Sequence, residues 1–345
     1  MENILKLSED GNVLLEVLDK NVQEITIPEE ITSIGKYAFS CCFSLQKVNV
    51  SCNVKFIGEH AFHGCSSLIS INVTIDNPFY TSIDGILFSK NLSSIHCMPA
   101  GKKLEEYQIP ASVTSIESGA FAGCSSLQNI DIPNSVSSIG DGAFRFCSAL
   151  QYIDIPNSVV TIGNEAFFNC SALQSIDIPN SINSIGNQTF SGCSSLQNID
   201  IPKGVTFIGK YAFSNCSSLT SINVDSNNPS YASIDGILFN KNLNSIICMP
   251  AGKKLEEYQI TASVISIENG TFSSCSSLLK VDIPHSVVSI GDCAFSDCTS
   301  LRSIDIPNSV VSIGNCAFID CTSLHSINIP NGVVSIGFNA FWLCI

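Results

Sequence analysis

Hydrophobic positions recur along this chain with a period of 23 residues. Each repeat has two apolar parts, LxxIxIP and VxxIGxxAFxxC, separated by serine, asparagine and other polar residues. Aligned on the isoleucine of the second part, the chain contains eleven units, at Ile34, Ile57, Ile116, Ile139, Ile162, Ile185, Ile208, Ile267, Ile290, Ile313 and Ile336. A period of this length predicts a solenoid, in which each coil buries its apolar side chains against its neighbours.

A phenylalanine stands five residues after each of these isoleucines, and a cysteine stands eight residues after it. Because one coil cannot enclose its own apolar side chains, both positions are expected to form ladders inside the solenoid. The predicted core ladder includes Phe121, Phe144, Phe167, Phe190 and Phe213, together with Cys124, Cys147 and Cys170. Truncation of a central phenylalanine to alanine is expected to cost about 3 to 5 kcal/mol.

The alternating apolar tail of LxxIxIP is typical of a short strand, and thirteen such strands are predicted. Stacked in register, they would form one long parallel sheet with about 4.8 Å between neighbours. A proline ends most of these strands because it has no donor for the next ladder bond. The rest of the coil is predicted to hold a short convex strand at VxxIG, a glycine with positive φ, as at Gly140 or Gly314, and a helical turn at AFxxC.

Two coils are longer than the others and are near copies of each other. Residues 82–109 and 233–260 share SIDGILF and CMPAGKKLEEYQI and lie 151 residues apart. The additional residues, around 74–103 and 225–254, are too few for a separate domain and are predicted to project as β-hairpins. We therefore expect an N-terminal cap at residues 1–21 and a single leucine-rich-repeat solenoid at residues 22–345.

The repeat LxxIxIPxxVxxIGxxAFxxC resembles the leucine-rich repeat of the BspA-like type, which is found in surface proteins of bacteria and of some parasitic protists. The resemblance covers residues 20 to 345, and the long coil is similar to a segment common in that family. It implies an arc-shaped solenoid and a role in adhesion to host proteins or other cells, and it carries over no catalytic motif. It also implies a cell-surface or secreted protein. The first residues carry no secretory signal, so a cytoplasmic location stays open.

Composition limits the partners. The chain has 30 acidic and 16 basic residues and a formal net charge of -14, which disfavours nucleic acid and anionic membrane surfaces. No stretch approaches the roughly 18 to 20 apolar residues of a membrane span. We therefore expect a protein or glycoprotein ligand, no nucleic acid and no membrane insertion.

Seventeen cysteines raise the question of disulfides or metal. Eleven belong to the ladder, where parallel side chains give the wrong torsion for a disulfide, so buried free thiols are predicted. Two clusters are weak metal candidates, since each includes ladder cysteines and lacks a tight CxxC pair. They are Cys293, Cys298, Cys316 and Cys321, and Glu59, His60, His63 and Cys65. No metal and no cofactor are predicted.

The residue between the two strand isoleucines points away from the core. At six strands this residue is a carboxylate, and a tyrosine precedes one of them on the same face. These candidate binding residues of the concave sheet are Asp131, Asp154, Asp177, Asp200, Asp282, Asp305 and Tyr152. Two interpretations stay open: a solvated face whose charges prevent β-aggregation, or an acidic stripe that binds a basic segment or cations.

No Ser-His-Asp set, nucleotide-binding glycine loop or paired-carboxylate cleft is evident, so the chain is not expected to be an enzyme. The leading hypothesis is a non-enzymatic module that presents its concave sheet and two hairpins to a protein or glycoprotein partner in adhesion. The alternative is an intracellular scaffold or effector. The sequence stops at FWLCI without a polar cap, so this end is expected to continue in a longer protein or to pack end to end on a second copy.

Overall fold

In a computed structural model, the described residues 4–344 form successive coils of short strands and turns. The chain divides into two compact units between residues 171 and 172. Residues 1–3 of the expected cap and residue 345 lie outside the described residues.

Three kinds of strand build the coils. The LxxIxIP segments form thirteen front strands: β3 (Glu24–Thr26), β5 (Lys47–Val50), β7 (Ser70–Val73), β11 (Glu106–Gln108), β13 (Asn129–Asp131), β15 (Tyr152–Ile153), β17 (Ser175–Ile176), β19 (Asn198–Ile201), β21 (Ser221–Val224), β25 (Glu257–Gln259), β27 (Lys280–Asp282), β29 (Ser303–Asp305) and β31 (Ser326–Asn328). The VxxIG segments form eleven two-residue wall strands: β4 (Ser33–Ile34), β6 (Phe56–Ile57), β12 (Ser115–Ile116), β14 (Ser138–Ile139), β16 (Thr161–Ile162), β18 (Ser184–Ile185), β20 (Phe207–Ile208), β26 (Ser266–Ile267), β28 (Ser289–Ile290), β30 (Ser312–Ile313) and β32 (Ser335–Ile336). The others are β1 (Leu5–Leu7), β2 (Val13–Val17), β8 (Tyr80–Ile83), β9 (Ile86–Ser89), β10 (Ser94–Cys97), β22 (Tyr231–Ile234), β23 (Ile237–Asn240) and β24 (Ser245–Cys248).

In the first unit, the front strands pair in parallel as β3-β5-β7 and β11-β13-β15. The wall strands pair as β1-β2-β4-β6 and as β8-β9-β10-β12-β14-β16. In the second unit, the front strands pair as β19-β21 and β25-β27-β29-β31, and the wall contains β18-β20 and β22-β23-β24-β26-β28-β30-β32. The parallel solenoid is thus confirmed, but the front sheet is not continuous: each long coil interrupts the pairing of the front strands, and in the second unit β17 is not paired with β19.

The core of each unit is a ladder of phenylalanine rings. In the first unit, Phe121, Phe144 and Phe167 stack with centroids 5.1 and 5.4 Å apart. In the second unit, Phe190 and Phe213 stack at 5.9 Å. All five rings are buried, as are the thiols of Cys124, Cys147 and Cys170. Successive coils thus share one apolar interior within each unit.

The AFxxC segments are turns, and residues 4–344 contain no helix. The expected helical turn is wrong because alternate backbone N–H groups bond to the next coil. The N–H of Phe121, for example, donates to the carbonyl of Ala143 at 2.7 Å. On either side of Phe121, Gly119 and Gly123 have φ values of +72° and +79°. Such left-handed residues, two in each turn, are incompatible with a right-handed helix.

The glycine after the wall isoleucine has a different role from the one expected. Gly140 does not have a positive φ, and a Cβ atom there would lie 2.6 Å from the backbone nitrogen of Ser118 in the preceding coil. Glycine is therefore required by the close approach of two backbones. The positive φ occurs two residues later, at Gly142.

Each long coil forms the expected hairpin. In the first unit, β8 and β9 are antiparallel, and Asp84 and Gly85 form their two-residue turn with φ values of +50° and +76°. Two positive φ values are typical of a type I′ turn, which favours the pair Asp-Gly. The Lys102 ammonium donates to the carbonyl of Asp84 at 2.8 Å, and in the second unit Lys253 makes the same bond to Asp235 at 2.7 Å.

Candidate functional site

In the first unit, the front strands expose alternate side chains. Ile130 is buried, whereas its neighbour Asp131 on β13 is exposed, and Asp154 is exposed in the next coil. The amide of Gln108, one coil earlier, donates to Asp131 Oδ2 at 3.0 Å. Tyr152 is 51% exposed, so most of its ring faces solvent. This unit therefore offers two carboxylates and one aromatic ring on a polar strand face.

In the second unit, four front-strand carboxylates are exposed, at Asp177, Asp200, Asp282 and Asp305. Their neighbours partly balance the charge. The Asn223 amide donates to Asp200 Oδ1 at 2.8 Å, and the Lys280 ammonium lies 2.7 Å from Asp282 Oδ1. Asp282 and Asp305 occupy paired positions on β27 and β29. Two such charges repel by only about 1 kcal/mol in water, so solvent tolerates the arrangement.

The front-face carboxylates, defined as these six aspartates, are thus divided between the units, two in the first and four in the second. Their oxygens are able to accept hydrogen bonds from lysine, arginine or amide groups of a partner. Two of the aspartates already accept an amide from the adjacent strand, Asp131 from Gln108 and Asp200 from Asn223. In each unit these carboxylates lie on a solvent-exposed polar strand face.

The first metal candidate is not assembled as one site. Cys298 and Cys321 are buried in the core, whereas Cys293 and Cys316 are only half-buried. Burial raises the pKa of Cys293. In the second candidate, Cys65 donates its thiol hydrogen into the core, to the carbonyl of Phe39. Among residues 4–344, no group of three or more histidine, cysteine, aspartate or glutamate side chains is placed to hold a metal ion.

Sequence reasoning missed a buried polar anchor in each long coil. Asn77 is fully buried, and its amide nitrogen donates to the carbonyls of Ser51 and Val54 at 2.8 and 3.0 Å. Its Oδ1 accepts the N–H groups of Phe79 and Tyr80, both at 2.8 Å. Asn228 makes the equivalent four bonds in the second unit. The sequence feature that could have indicated these anchors is NPxY, which occurs in both long coils, 151 residues apart.

A sequence-family profile described as the BspA type leucine rich repeat region (6 copies) matches residues 18–98, 98–220, 161–260 and 251–345. The matches together extend from residue 18 to residue 345. No curated protein matches the chain in sequence. Within the described part of the chain, no helix has the length and apolar character needed to cross a membrane.

Two solved structures are similar to this chain over nearly its whole length. A leucine rich cell surface protein from Faecalibacterium prausnitzii A2-165 is 28% identical, with a TM-score of 0.62, and the alignment covers 100% of this chain and 92% of that one. The pneumococcal vaccine antigen PcpA is 24% identical, with a TM-score of 0.64, and the alignment covers 98% of this chain and 77% of that one. Both similarities support the solenoid fold.

Proposed function

Because this chain belongs to the BspA-type leucine-rich repeat family, we propose that it is a non-enzymatic protein-binding module acting in adhesion or host interaction at a cell surface. Repeats of this family form a non-enzymatic scaffold class, and solenoids of this kind present extended surfaces to other proteins. A similar chain of known structure is a leucine rich cell surface protein. The family and this neighbour favour a protein or glycoprotein as the ligand.

The observation that carries the proposal is the exposure of the front-face carboxylates on strands of fixed spacing. Parallel strands lie about 4.8 Å apart, so Asp282 and Asp305 present their charges at a regular interval along paired positions. A partner with basic or amide side chains at a matching interval would bind both. Charges of this kind act mainly on the rate and selectivity of encounter, and salt weakens them.

The experiment is a cell-binding assay with charge-neutralised variants. The fluorescently labelled chain is added to cultured epithelial cells, with and without protease treatment of the cell surface. Two double variants remove the carboxylates of each unit separately: Asp131→Asn with Asp154→Asn, and Asp282→Asn with Asp305→Asn. The control, Asp76→Asn with Glu30→Gln, removes two exposed charges away from the front strands.

We expect protease treatment to abolish binding, and at least one front-face variant to bind at least fivefold more weakly at low salt than the control. If both front-face variants bind as the control does, the carboxylates have no part in recognition. If cells do not bind the chain before or after treatment, adhesion to this cell type is excluded.

A second candidate is an intracellular scaffold or effector, favoured by the thiols. All seventeen cysteines are free, and in both units ladder thiols donate to main-chain carbonyls. Free thiols are typical of a reducing compartment. Immunolocalisation of the untagged protein in its own cells separates the candidates, since export supports adhesion and retention in the cytosol supports the scaffold.

The proposal includes end-to-end self-association of two copies through the final coil. Hydrophobic side chains of this coil are exposed, among them Val334 at 83%, Phe338 at 77% and Trp342 at 54%. Patches of this kind are typical of protein contacts. Light scattering after size exclusion is expected to show a dimer that Phe338→Ser with Trp342→Ser disrupts; a monomer at all concentrations would exclude this contact.

A further inference from the structure

The long coil of the first unit opens a cavity of about 250 Å³ in the wall. Strand β10 pairs with β12 on one side and with the hairpin strand β9 on the other. β9 thus takes the place beside β10 that a wall strand of the preceding coil would occupy. The backbone N–H of Ile57, at the end of β6, donates instead to the phenol oxygen of Tyr80 at 3.0 Å. The cavity lies where the wall is interrupted.

Aromatic rings and imidazoles line much of this cavity. The lining includes the rings of Phe56, Phe62 and Tyr80 and the imidazoles of His60, His63 and His96. The rings of Tyr80 and His96 meet edge to face, with centroids 5.2 Å apart. Burial lowers the pKa of each of these three histidines below its usual value of 6.5, so the neutral form of each imidazole predominates at pH 7. The lining therefore combines π faces with uncharged nitrogen donors and acceptors.

One carboxylate in the lining has no cationic partner. Glu59 is paired with the Lys36 ammonium at 2.9 Å. Glu117 accepts a hydrogen bond from the Ser115 hydroxyl at 2.8 Å, and within residues 4–344 it takes part in no salt bridge. The lining therefore carries an uncompensated negative charge beside several aromatic faces.

We propose that this cavity binds a small organic cation, an alkylammonium or guanidinium group, between Glu117 and the rings of Tyr80 and His96. A carboxylate and aromatic faces together stabilise such a cation. The negative charge of Glu117 would repel an anion, and a neutral ligand would leave that charge without a partner. The volume is below the roughly 300 to 1,000 Å³ of drug-sized pockets, so the ligand is small. This site does not depend on the proposed role in adhesion.

The second unit contains a natural counterpart with a different charge. Counted 151 residues on, Glu59 is replaced by Lys210, and His96 by Ile247. A cavity of about 260 Å³ there is lined by Lys210, Tyr231, Ile247 and Glu268 among others. Two serine hydroxyls, of Ser245 and Ser266, bond to the Glu268 carboxylate. Because this cavity already contains a lysine, we expect it not to bind an organic cation.

The test is an NMR titration of the imidazole signals of the full chain with n-butylammonium chloride, with n-butanol as the neutral probe of similar shape. The chain has five histidines, and the exposed His285 and His325 lie outside the cavity and serve as internal references. Saturable shifts of His60, His63 and His96 with n-butylammonium, and none with n-butanol, are expected. Equal shifts with both probes, or none with n-butylammonium, would overturn the proposal.

Two variants make the test specific. Glu117→Gln keeps an oxygen that accepts from Ser115, removes the charge and is expected to weaken n-butylammonium binding at least tenfold. Glu268→Gln makes the same change in the second unit and is expected to leave binding unchanged. If Glu117→Gln is misfolded, His96→Ile, which installs the residue of the second unit, is used and is also expected to weaken binding. Binding unaffected by the folded variants would overturn the assignment.

Two further measurements define the ligand and its pH dependence. Nα-acetyl-lysine methylamide tests whether the cation is a peptide side chain: shifts with both this probe and n-butylammonium indicate a lysine side chain of a peptide, and shifts with n-butylammonium alone indicate a free amine. Acidification is expected to weaken binding over the pH range in which the NMR signals of the three imidazoles show that they gain charge. The groups facing them are Lys36, Glu59 and Asp141 at His60, Arg145 and Glu165 at His63, and Glu117 at His96. Affinity that does not change while these imidazole signals titrate would exclude contact between cation and imidazoles.

Discussion

The thiol of Cys147 donates a hydrogen bond to the backbone carbonyl of Phe121, one coil earlier, with Sγ and oxygen 3.1 Å apart. The same bond joins Cys170 to Phe144 in the first unit and Cys298 to Phe272 in the second. A thiol is small enough to pack among the rings, and its own donor finds a partner there, because the same carbonyl, which already accepts a backbone N–H at 3.1 Å from Cys124, has a second lone pair. This pairing gives a physical reason for a cysteine at this position of the repeat.

The first prediction concerns the reactivity of these thiols. Twelve cysteines are buried, and five are exposed or half-buried: Cys41, Cys52, Cys293, Cys316 and Cys344. Burial raises the pKa of Cys124 and Cys147 well above the usual value, so their reactive thiolate form is rare. Iodoacetamide at pH 8 should modify at most these five in the native protein, and all seventeen in 6 M guanidinium, as counted by intact mass. Peptide mapping that finds Cys147 modified as fast as Cys41 would contradict this.

The second prediction concerns the buried amide of Asn77. Replacement by alanine would leave two carbonyls and two N–H groups of the long coil without this partner, at a cost of about 3 kcal/mol or more. We expect Asn77→Ala to lower the free energy of unfolding in urea and to speed hydrogen exchange at the amide of Tyr80. Asp76→Ala, one residue earlier and exposed, is the control and should change stability by less than about 0.5 kcal/mol. Equal effects of the two variants would show that the four bonds do not hold the hairpin.

The positions of the buried side chains could be predicted from the sequence, because they depend only on the period of the repeat. The period places Phe144 and Ile139 inside, since a solenoid repeats its apolar contacts at one interval. The turn at AFxxC was predicted wrongly because its apolar spacing fits a helix, whereas the N–H of Phe144 bonds to Ala166 in the next coil. Asn77 was missed because asparagine is mostly a surface residue, and only a four-fold set of bonds makes its burial favourable.

The candidate site was predictable only in part, for a related reason. Strand alternation placed Asp131 and Asp305 on an outward face, and both are exposed. Their bonding partners lie on other coils, as Gln108 does for Asp131, so period alone could not identify them. The cavity beside Glu117 depends on how the hairpin displaces a wall strand, which is a property of tertiary structure.

The third prediction tests the ring ladder. Phe144 is fully buried between Phe121 and Phe167, so Phe144→Ala should destabilise the protein by about 3 to 5 kcal/mol, and Phe144→Leu by less. The matched control is Phe56→Ala, because Phe56 is 58% exposed. Urea unfolding followed by far-ultraviolet circular dichroism measures the difference. A Phe144→Ala effect no larger than that of Phe56→Ala would contradict a shared apolar interior in the first unit.

The fourth prediction concerns the pH dependence of stability in the second unit. Partial burial, and to a lesser extent the nearby carboxylate of Asp320, raise the pKa of Asp297 above its usual value of 3.8. When folding raises the pKa of an acid, the folded state favours the protonated form of that acid. Its contribution to the stability of the protein is therefore favourable at low pH and is lost as pH rises through the folded pKa. Asp297 also has a positive φ of 57°, a conformation that asparagine adopts as readily as aspartate.

Asp297→Asn should therefore stabilise the protein at pH 7, by less than about 1 kcal/mol because the side chain is largely solvated. The gain should shrink as pH falls and disappear below about pH 3.8, where aspartate is protonated in both the folded and unfolded states. Asp177→Asn, which removes an exposed charge from the same unit, is the control and should give no comparable gain. Thermal unfolding measured from pH 3 to pH 7 compares the variants. A gain that persists at pH 3 would show that asparagine acts through the backbone turn and not through the removal of charge.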